Sequence, residues 1–461
     1  MIPVITPEAA RAADARASVS VEELIERAGR AVAHHAIDML GGTYGRTVVV
    51  IEGRGNNGAD GVVAAAALRS AGCAVREVNV AHMPRDLRDV VSASHGPIDL
   101  CIDAAYGTGH RGSWQPPEVG DTRVLAVDLP SGVNPMTGEV SAALRADRTV
   151  TFQAVKPGLI FGDGPRYAGE IVVADLGLDI GRPYASIVEA GDVASWLPTR
   201  MRDSHKWTSA VRVIAGSPGM IGAGRLATSA ALRSGAGMVH WSAPGCSIED
   251  SDEVVHVLVE RGCWSQRVLD SAGRFRSAIV GPGLGRADDT AREVMTMAHS
   301  LDSALVIDGD GLFALTWNAE GSPRSLRRRT SPTVLTPHDG EYRQLLGEDP
   351  VGDRIAAANL LVAESGATVL LKGPNTVIAD PDGRSWVVTN GDERLATAGS
   401  GDVLSGIIGA FLAMGMPAWA AAASAAWVHA ECAGAVGLAG VIASDLVDAL
   451  PSVLARLERD R

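Results

Sequence analysis

The sequence predicts an α/β protein of two domains, the first a doubly wound parallel sheet, and three observations carry that prediction. Short aliphatic runs alternate with helical stretches, the pattern of β-α-β units and hence of parallel strands. Hydrophobic residues make up 46% of the chain but aromatics only 4%, beside 53 glycines. The apolar surface is therefore small and aliphatic, as in strands covered on both faces. At 461 residues the chain also exceeds one ordinary domain.

In chain order, residues 20–40 have helical spacing, with Ser20 and Glu23 placed as a capping box. Residues 47–51 (ThrValValValIle) read as a strand and Asp60–Ala71 as a helix. Further strands are expected at 74–80, 98–103, 123–128, 148–152 and 170–174. The pattern lapses between 181 and 210, so the domains are expected at 1–190 and 191–461. The second half restarts with a strand at Val211–Ala215 and a helix at Arg225–Ser234. Strands follow at 238–243, 277–281, 304–308, 333–336 and 368–372. Val403–Val428 carries no charge, but Gly409, Gly415 and Pro417 interrupt it, which predicts two buried helices rather than a membrane span.

Composition excludes several function classes. With 41 Lys+Arg against 54 Asp+Glu the net charge is −13, a poor balance for neutralising nucleic-acid phosphates. Cys73, Cys101, Cys246, Cys263 and Cys432 contain no C-x-x-C pair, which fits a reducing compartment and no zinc site. The N-terminus lacks a secretory signal pattern, so a cytoplasmic, membrane-free protein is expected. Only Lys156, Lys206 and Lys372 are lysines among the 41 basic residues, so each is a candidate for a task that needs a compact ammonium.

Three polar turns follow aliphatic runs in the first half: Gly53-Arg54-Gly55-Asn56-Asn57-Gly58-Ala59-Asp60-Gly61, Asp103-Ala104-Ala105-Tyr106-Gly107-Thr108-Gly109, and Asp128-Leu129-Pro130-Ser131-Gly132. In an open α/β sheet the carboxyl edge of the strands is where ligands bind. Read as a structural turn instead, the first would have Asp60 as helix cap. Asn57, Asp103 and Ser131 offer only hard oxygen ligands, suited to an alkali or alkaline-earth cation. These turns, with ThrPheGlnAlaValLysProGly at 151–158, resemble the motifs of NAD(P)H-hydrate epimerases over residues 1–180. The resemblance implies a Rossmann-like fold and interconversion of the C6 epimers of hydrated NAD(P)H. It places Asn56, Asn57, Gly58, Ala59 and Asp60, with Gly107, Thr108, Gly109, His110, Arg111, Gly112 and Ser113, on the dinucleotide. It also puts K⁺ on Asn57, Asp103 and Ser131, and Asp128 at the reacting ring. The family usually has Gly where this chain has Ala59. The C6 centre is a hemiaminal that inverts through an open or iminium form, and a carboxylate that moves the hydroxyl proton suffices, a task for Asp128.

In the second half Ala396-Thr397-Ala398-Gly399-Ser400-Gly401-Asp402 runs into an apolar helix. Such a turn aims backbone N–H groups at a phosphoryl group, and Asp402 can accept a proton from an attacking hydroxyl. As plain structure, Ser400 or Asp402 would be an N-cap. Segments 281–285, 308–311, 336–341 and 372–376 lie at other strand ends, and His338, between Pro337 and Gly340, reads as a turn residue free to contact a ligand. GlyProGlyLeuGly, LeuThrProHis, LysGlyProAsnThr and GlySerGlyAspValLeuSerGly resemble the ADP- or ATP-dependent NAD(P)H-hydrate dehydratases over 205–450. That implies a ribokinase-like fold, with Ala223, Gly283, His338 and Asp402 on the hydrate and Asp402 as catalytic base. Lys372, Gly373, Pro374, Asn375, Thr376 and Gly401 would hold the nucleotide, with ADP as co-substrate and Mg²⁺ as its ion. Where the family commonly shows His-Lys-Gly-x-x-Gly, the chain has His205–Ala210 with Trp207 and Ala210 replacing the glycines.

Together the resemblances imply a bifunctional repair enzyme acting on NAD(P)H hydrate and ADP, and a homo-oligomer. The alternatives are a ribokinase-like small-metabolite kinase and a dehydratase whose N-terminal domain is an inactive binding module.

Overall fold

The computed structural model describes residues 1–91, 97–109, 114–248, 252–317, 322–350 and 352–459. The chain forms two compact units, Ile2–Tyr184 and Ala185–Arg461.

The first unit runs β1 (Ile2–Val4), α1 (Pro7–Ala15), α2 (Val21–Leu40), β2 (Thr47–Glu52), α3 (Asn56–Ser70), β3 (Ala74–Asn79), β4 (Leu100–Ala104), β5 (Arg123–Val127), β6 (Arg148–Phe152), α4 (Pro157–Ile160), α5 (Pro165–Ala168) and β7 (Glu170–Ala174). Six strands form a wholly parallel sheet in the order β3-β2-β4-β5-β6-β7. From β2 the chain winds first outward to β3 and then back to β4. The crevice beyond the carboxyl ends of β2 and β4 is thus the switch point where ligands of such sheets bind. Val48, Val50, Ile102 and Leu125 face one apolar core with Val32, Ala36 and Leu68, while Val49, Ile51 and Cys101 face a second with Leu87 and Trp114. Both faces are covered, which is why these strands read as unbroken aliphatic runs.

The second unit runs β8 (Ala185–Ile187), α6 (Ala190–Trp196), β9 (Ala210–Ile214), α7 (Ile221–Arg233), β10 (Met238–Ser242), β11 (Val255–His256), α8 (Trp264–Leu269), β12 (Ser277–Val280), α9 (Asp288–Ser300), β13 (Ala304–Ile307), α10 (Asp310–Ala314), β14 (Thr333–Leu335), α11 (Asp339–Leu346), α12 (Arg354–Ser365), β15 (Thr368–Leu371), β16 (Thr376–Ala379), β17 (Ser385–Val388), α13 (Ser400–Ala413), α14 (Ala418–Ala435) and α15 (Ala443–Arg459). Its strands lie in the order β8-β17-β16-β15-β14-β13-β12-β9-β10-β11, parallel except where β16 pairs antiparallel with β15 and β17. The winding reverses at β9 and β12, so a second carboxyl-edge crevice opens there. The uncharged stretch is the two buried helices α13 and α14, broken by Gly415 (φ 92°) and Pro417. No helix among the described residues is long and apolar enough to cross a membrane.

Two local readings are corrected. The first Gly-rich turn is mostly helix: α3 begins at Asn56 behind Gly55, whose φ of 101° makes the sharp entry, so Asp60 is not a cap. At α2 only half the capping box exists. Ser20 Oγ accepts from the Glu23 N–H at 3.2 Å, while the Glu23 carboxylate takes Arg27 at 2.6 Å. Strands β1, β8, β11, β16 and β17 carry no expectation; each has at most four residues, too few for periodicity to register.

Candidate active sites in the two units

In the first unit a cavity of about 580 Å³ opens at the switch point, lined by Asn56, Asn57, Asp60, Gly107, Thr108, Gly109 and Asp128. His110, Arg111, Gly112 and Ser113 lie outside the described residues. Gly58 and Ala59 belong to the first turn of α3, where the Ala59 N–H bonds Gly55 O at 3.1 Å. Ala59 has ordinary helical backbone, so a glycine there would confer no conformational advantage.

Asp128 follows β5 in a left-handed conformation (φ 65°) that turns its carboxylate into the cavity. Oδ1 accepts from Lys156 Nζ at 2.5 Å and from Thr151 Oγ1 at 3.1 Å. Lys156, 2% exposed, also donates to Thr151 Oγ1 and Phe152 O, each at 3.0 Å. Asp14, on α1, lines the same cavity, and burial holds its carboxyl above the usual range. Asp60 is raised further, to about 8, by burial first and then by the charges of Asp128 and Asp14.

Asp103 is fully buried, accepting from Ser131 Oγ at 2.6 Å, Ser131 N at 2.9 Å and Ala105 N at 3.2 Å. Burial pushes its carboxyl up despite these bonds. Asn57 is 8% exposed, and neither its Oδ1 nor its Nδ2 has a partner among the described residues. A β-carbon on Gly107 would sit 3.3 Å from Asn57 Cβ, and the Tyr106 N–H donates to Ser131 Oγ at 2.9 Å. The three oxygen donors are thereby joined through one loop, Asp103–Gly107.

The second site is built from the loops after β9, β12, β13, β14 and β15 and from the start of α13. Asp308, 3% exposed, accepts from Lys372 Nζ at 2.9 Å on Oδ1 and from Ser405 Oγ at 2.7 Å on Oδ2. Burial pushes the Asp308 carboxyl up, but the Lys372 charge and these bonds outweigh it and hold it low. For Lys372, burial works against the charge, yet Asp308 and Glu341 raise the ammonium above its ordinary value. Glu341 Oε2 stands 3.6 Å from Lys372 Nζ. Gly399 (φ 91°) starts α13, and Ser400 Oγ donates to Leu395 O at 2.7 Å, so neither Ser400 nor Asp402 is the cap. Asp402, in the first turn, receives no hydrogen bond from a described residue. Burial, then Asp308 and, more weakly, Asp310, lift its carboxyl to about 7 against the pull of Lys372.

Gly401 borders this group: a β-carbon there would lie 3.6 Å from Lys372 Nζ and 3.9 Å from Asp308 Oδ2. Gly283 (φ 60°) touches Ala223, whose Cβ would be 2.9 Å from an added β-carbon. Gly373 lies against Arg354, and Pro374, Asn375 and Thr376 lead into β16. His338 stands in the loop after β14. It caps α11, Nδ1 accepting from the Glu341 N–H at 3.2 Å while Glu341 Oε2 accepts the His338 N–H at 2.9 Å. Its imidazole remains largely exposed. Trp207, in the departed loop, stacks under Arg274 at 4.1 Å and against His240 and Phe275, while Ala210 starts β9.

Sequence reasoning left Asp14 out, while Thr151, Asp308, Glu341 and Ser405 lay in the segments 151–158, 308–311, 336–341 and 399–406 without roles of their own, as did Lys156, which was also singled out for its rarity. That rarity was a usable signal, since Lys156 is buried, Lys372 is half-buried, and each pairs with a site carboxylate. Asp14 carried none.

Comparison with known proteins covers both units. The family model described as NAD(P)H-hydrate dehydratase matches residues 211–452, and the YjeF-related protein N-terminus model matches 21–95 and 77–158. The chain is 37% identical over 448 residues to the bifunctional NAD(P)H-hydrate repair enzyme Nnr of Mycobacterium leprae (strain TN), covering 92% of this chain and 88% of that one. Against the enzyme of the same name from Salinibacter ruber the identity is 33%, over 98% and 96% of the two chains. The crystal structure of an ADP/ATP-dependent NAD(P)H-hydrate dehydratase from Bacillus subtilis, co-crystallised with ATP/Mg²⁺, is similar at 28% identity and TM-score 0.51. It covers 59% of this chain and 99% of that one. A ribokinase-like superfamily protein from Enterococcus faecalis V583 shares the fold at 23% identity and TM-score 0.53, covering 60% and 98%.

Proposed function

The chain belongs to the family of bifunctional NAD(P)H-hydrate repair enzymes, and from that premise we propose how its two sites divide the chemistry. It is an NAD(P)H-hydrate epimerase and an ADP-dependent NAD(P)H-hydrate dehydratase. In our reading the first unit interconverts the R and S hydrates and the second converts the S hydrate back to NAD(P)H, turning ADP into AMP and phosphate.

The observation that carries the dehydratase half is Asp402: a carboxylate raised to about 7, without a hydrogen bond from a described residue, in the first turn of α13. Hydroxide leaves poorly and phosphate leaves easily. Asp402 takes the proton of the C6 hydroxyl as its oxygen attacks the β-phosphoryl of ADP, and AMP departs. The unbonded N–H groups of the helix start face the charge that builds on the phosphoryl oxygens. Lys372, held by Asp308 and Glu341, adds a fixed positive charge beside them. The ring nitrogen then expels phosphate, and loss of a C5 proton restores the dihydropyridine. Among the described residues no group of three or more His, Cys, Asp or Glu is placed to hold a metal, so Mg²⁺ would travel on the nucleotide's own phosphates.

In the first unit Asp128, oriented by Lys156 and Thr151, moves the C6 hydroxyl proton. The orphaned Asn57 Oδ1 and the buried Asp103 carboxylate, which lacks a cationic partner among the described residues, fit a potassium ion held with Ser131. When bound, the ion supplies positive charge at the switch point, where the dinucleotide phosphates would lie.

The test is incubation of mixed hydrate epimers with ADP, Mg²⁺ and K⁺, following reduced-nicotinamide absorbance and phosphate together. Complete consumption of both epimers with equal release of phosphate is expected. Accumulation of a phosphorylated product would favour a kinase. An R epimer consumed no faster than its spontaneous inversion would mean an inactive N-terminal module.

A further inference from the structure

One acid in the first unit's cavity has no part in the chemistry assigned to Asp128. Asp60 sits on the second turn of α3, is 6% exposed, and turns what accessibility it has toward the cavity. No described residue donates to its carboxyl group. The cavity's buried ammonium, Lys156, is bonded to Asp128 instead. The titratable groups facing Asp60 are Asp14 from α1 and the Asp128–Lys156 pair, with Arg11, Arg54 and Tyr106 also lining the cavity. A buried carboxyl with no donor among the described residues, raised first by burial and then by the charges of Asp128 and Asp14, is neutral at physiological pH. One buried group that carries a proton beside another ion-paired as a carboxylate is the arrangement that sorts acid from base.

We propose that Asp60 is the proton donor of epimerisation, working with Asp128 as base through a ring-opened aldehyde. This rests on the epimerase reading above and assigns its second proton. Asp128 takes the hydroxyl proton, and the C6–O bond becomes a carbonyl. The C6–N1 bond breaks, its electron pair goes to N1, and Asp60 protonates that nitrogen. The aldehyde rotates about C5–C6. N1 then re-adds to the opposite carbonyl face, returning its proton to Asp60 while the oxygen takes back the proton from Asp128. Both acids end as they began, and no co-reactant is needed.

The test is the full-length Asp60→Asn variant, supplied with ADP, Mg²⁺ and K⁺. The amide keeps shape and hydrogen-bonding ability but cannot release a proton. Turnover of the R epimer should fall about 100-fold or more in kcat, with KM within about threefold, the scale of a lost general acid. Dehydration of the S epimer by the same preparation should be unchanged, which reports a folded chain. Retained kcat, or a rise confined to KM, would overturn the proposal in favour of dinucleotide holding alone. Should the variant misfold, the wild-type pH profile decides: epimerisation should decline above about pH 8 as Asp60 ionises, and a flat alkaline limb would overturn the assignment. A wild-type chain that does not epimerise at all would instead refute the underlying reading.

Discussion

The charge state of Asp402 makes the dehydratase a pH-dependent enzyme in a specified direction. The base must be ionised to accept the hydroxyl proton, and burial with Asp308 sets its midpoint at about 7. The free-enzyme fraction able to react is then roughly one in eleven at about pH 6, half at about pH 7 and ten in eleven at about pH 8. Dehydration of the S epimer, followed as kcat/KM by nicotinamide absorbance, should rise about tenfold from about pH 6 to about pH 8 and then level. Asp402→Asn should abolish it at every pH. Stability carries the same sign. A carboxyl whose folded midpoint is raised contributes stability that is fully present below its unfolded value near 3.8 and lost as pH rises through about 7. The loss amounts to about 4 kcal/mol at most. The Asn variant should therefore unfold at higher temperature than wild type at about pH 8, the gap closing toward about pH 4. A flat rate profile, or an Asn variant that turns over, would refute the assignment of Asp402 as base.

Other outcomes follow from the same contacts. Lys372→Met strands the buried Asp308 carboxylate, so it should destabilise the second unit by about 3–5 kcal/mol in denaturant unfolding. It should also move the kcat/KM midpoint upward, because Lys372 is the charge that pulls Asp402 down. Asp128→Asn removes the charge partner of the buried Lys156 and should both stop epimerisation and lower the unfolding temperature, measured by R-epimer consumption and by calorimetry. Asp60→Asn should do the opposite to stability. The raised carboxyl costs the fold progressively from about pH 4 to about pH 8, so the amide variant gains at about pH 7.5 in a thermal melt. Exchanging K⁺ for a bulky organic cation, or Asn57→Ala, should slow epimerisation while dehydration of pure S epimer is untouched, read as separate rates in one preparation.

Which residues reach the two crevices was legible because alternation decides it. Once ThrValValValIle is a strand and an Ala-rich helix follows, the intervening turn must lie at the carboxyl edge of a parallel sheet. Asn57, Asp103 and Asp128 were all found in that way, and Asp402 from the Gly-Ser-Gly-Asp turn that enters an apolar helix. The role of each acid was less legible, because it depends on what comes within hydrogen-bond reach from distant parts of the chain. Asp308 and Asp402 look alike in sequence, each an acid beside glycine at the edge of a regular element. One receives Lys372 from 64 residues away and Ser405 from 97 residues away, and becomes a permanent anion. The other receives no bond from a described residue and is left able to titrate. His338 shows the converse. Its position between Pro337 and Gly340 suggested a ligand contact, and Glu341 three residues on also makes it a helix cap, a pairing visible in the sequence but usually sought with Ser or Thr. The alternative reading of Asp60 as a cap fails for a related reason. Glycine at position 55 can begin a helix without any capping side chain, which moves the helix start four residues earlier and turns a surface acid into a buried one. In both units, then, glycine-led helix starts free the acids from capping, and the separation of base from counter-ion follows from which carboxylate the scarce lysine reaches.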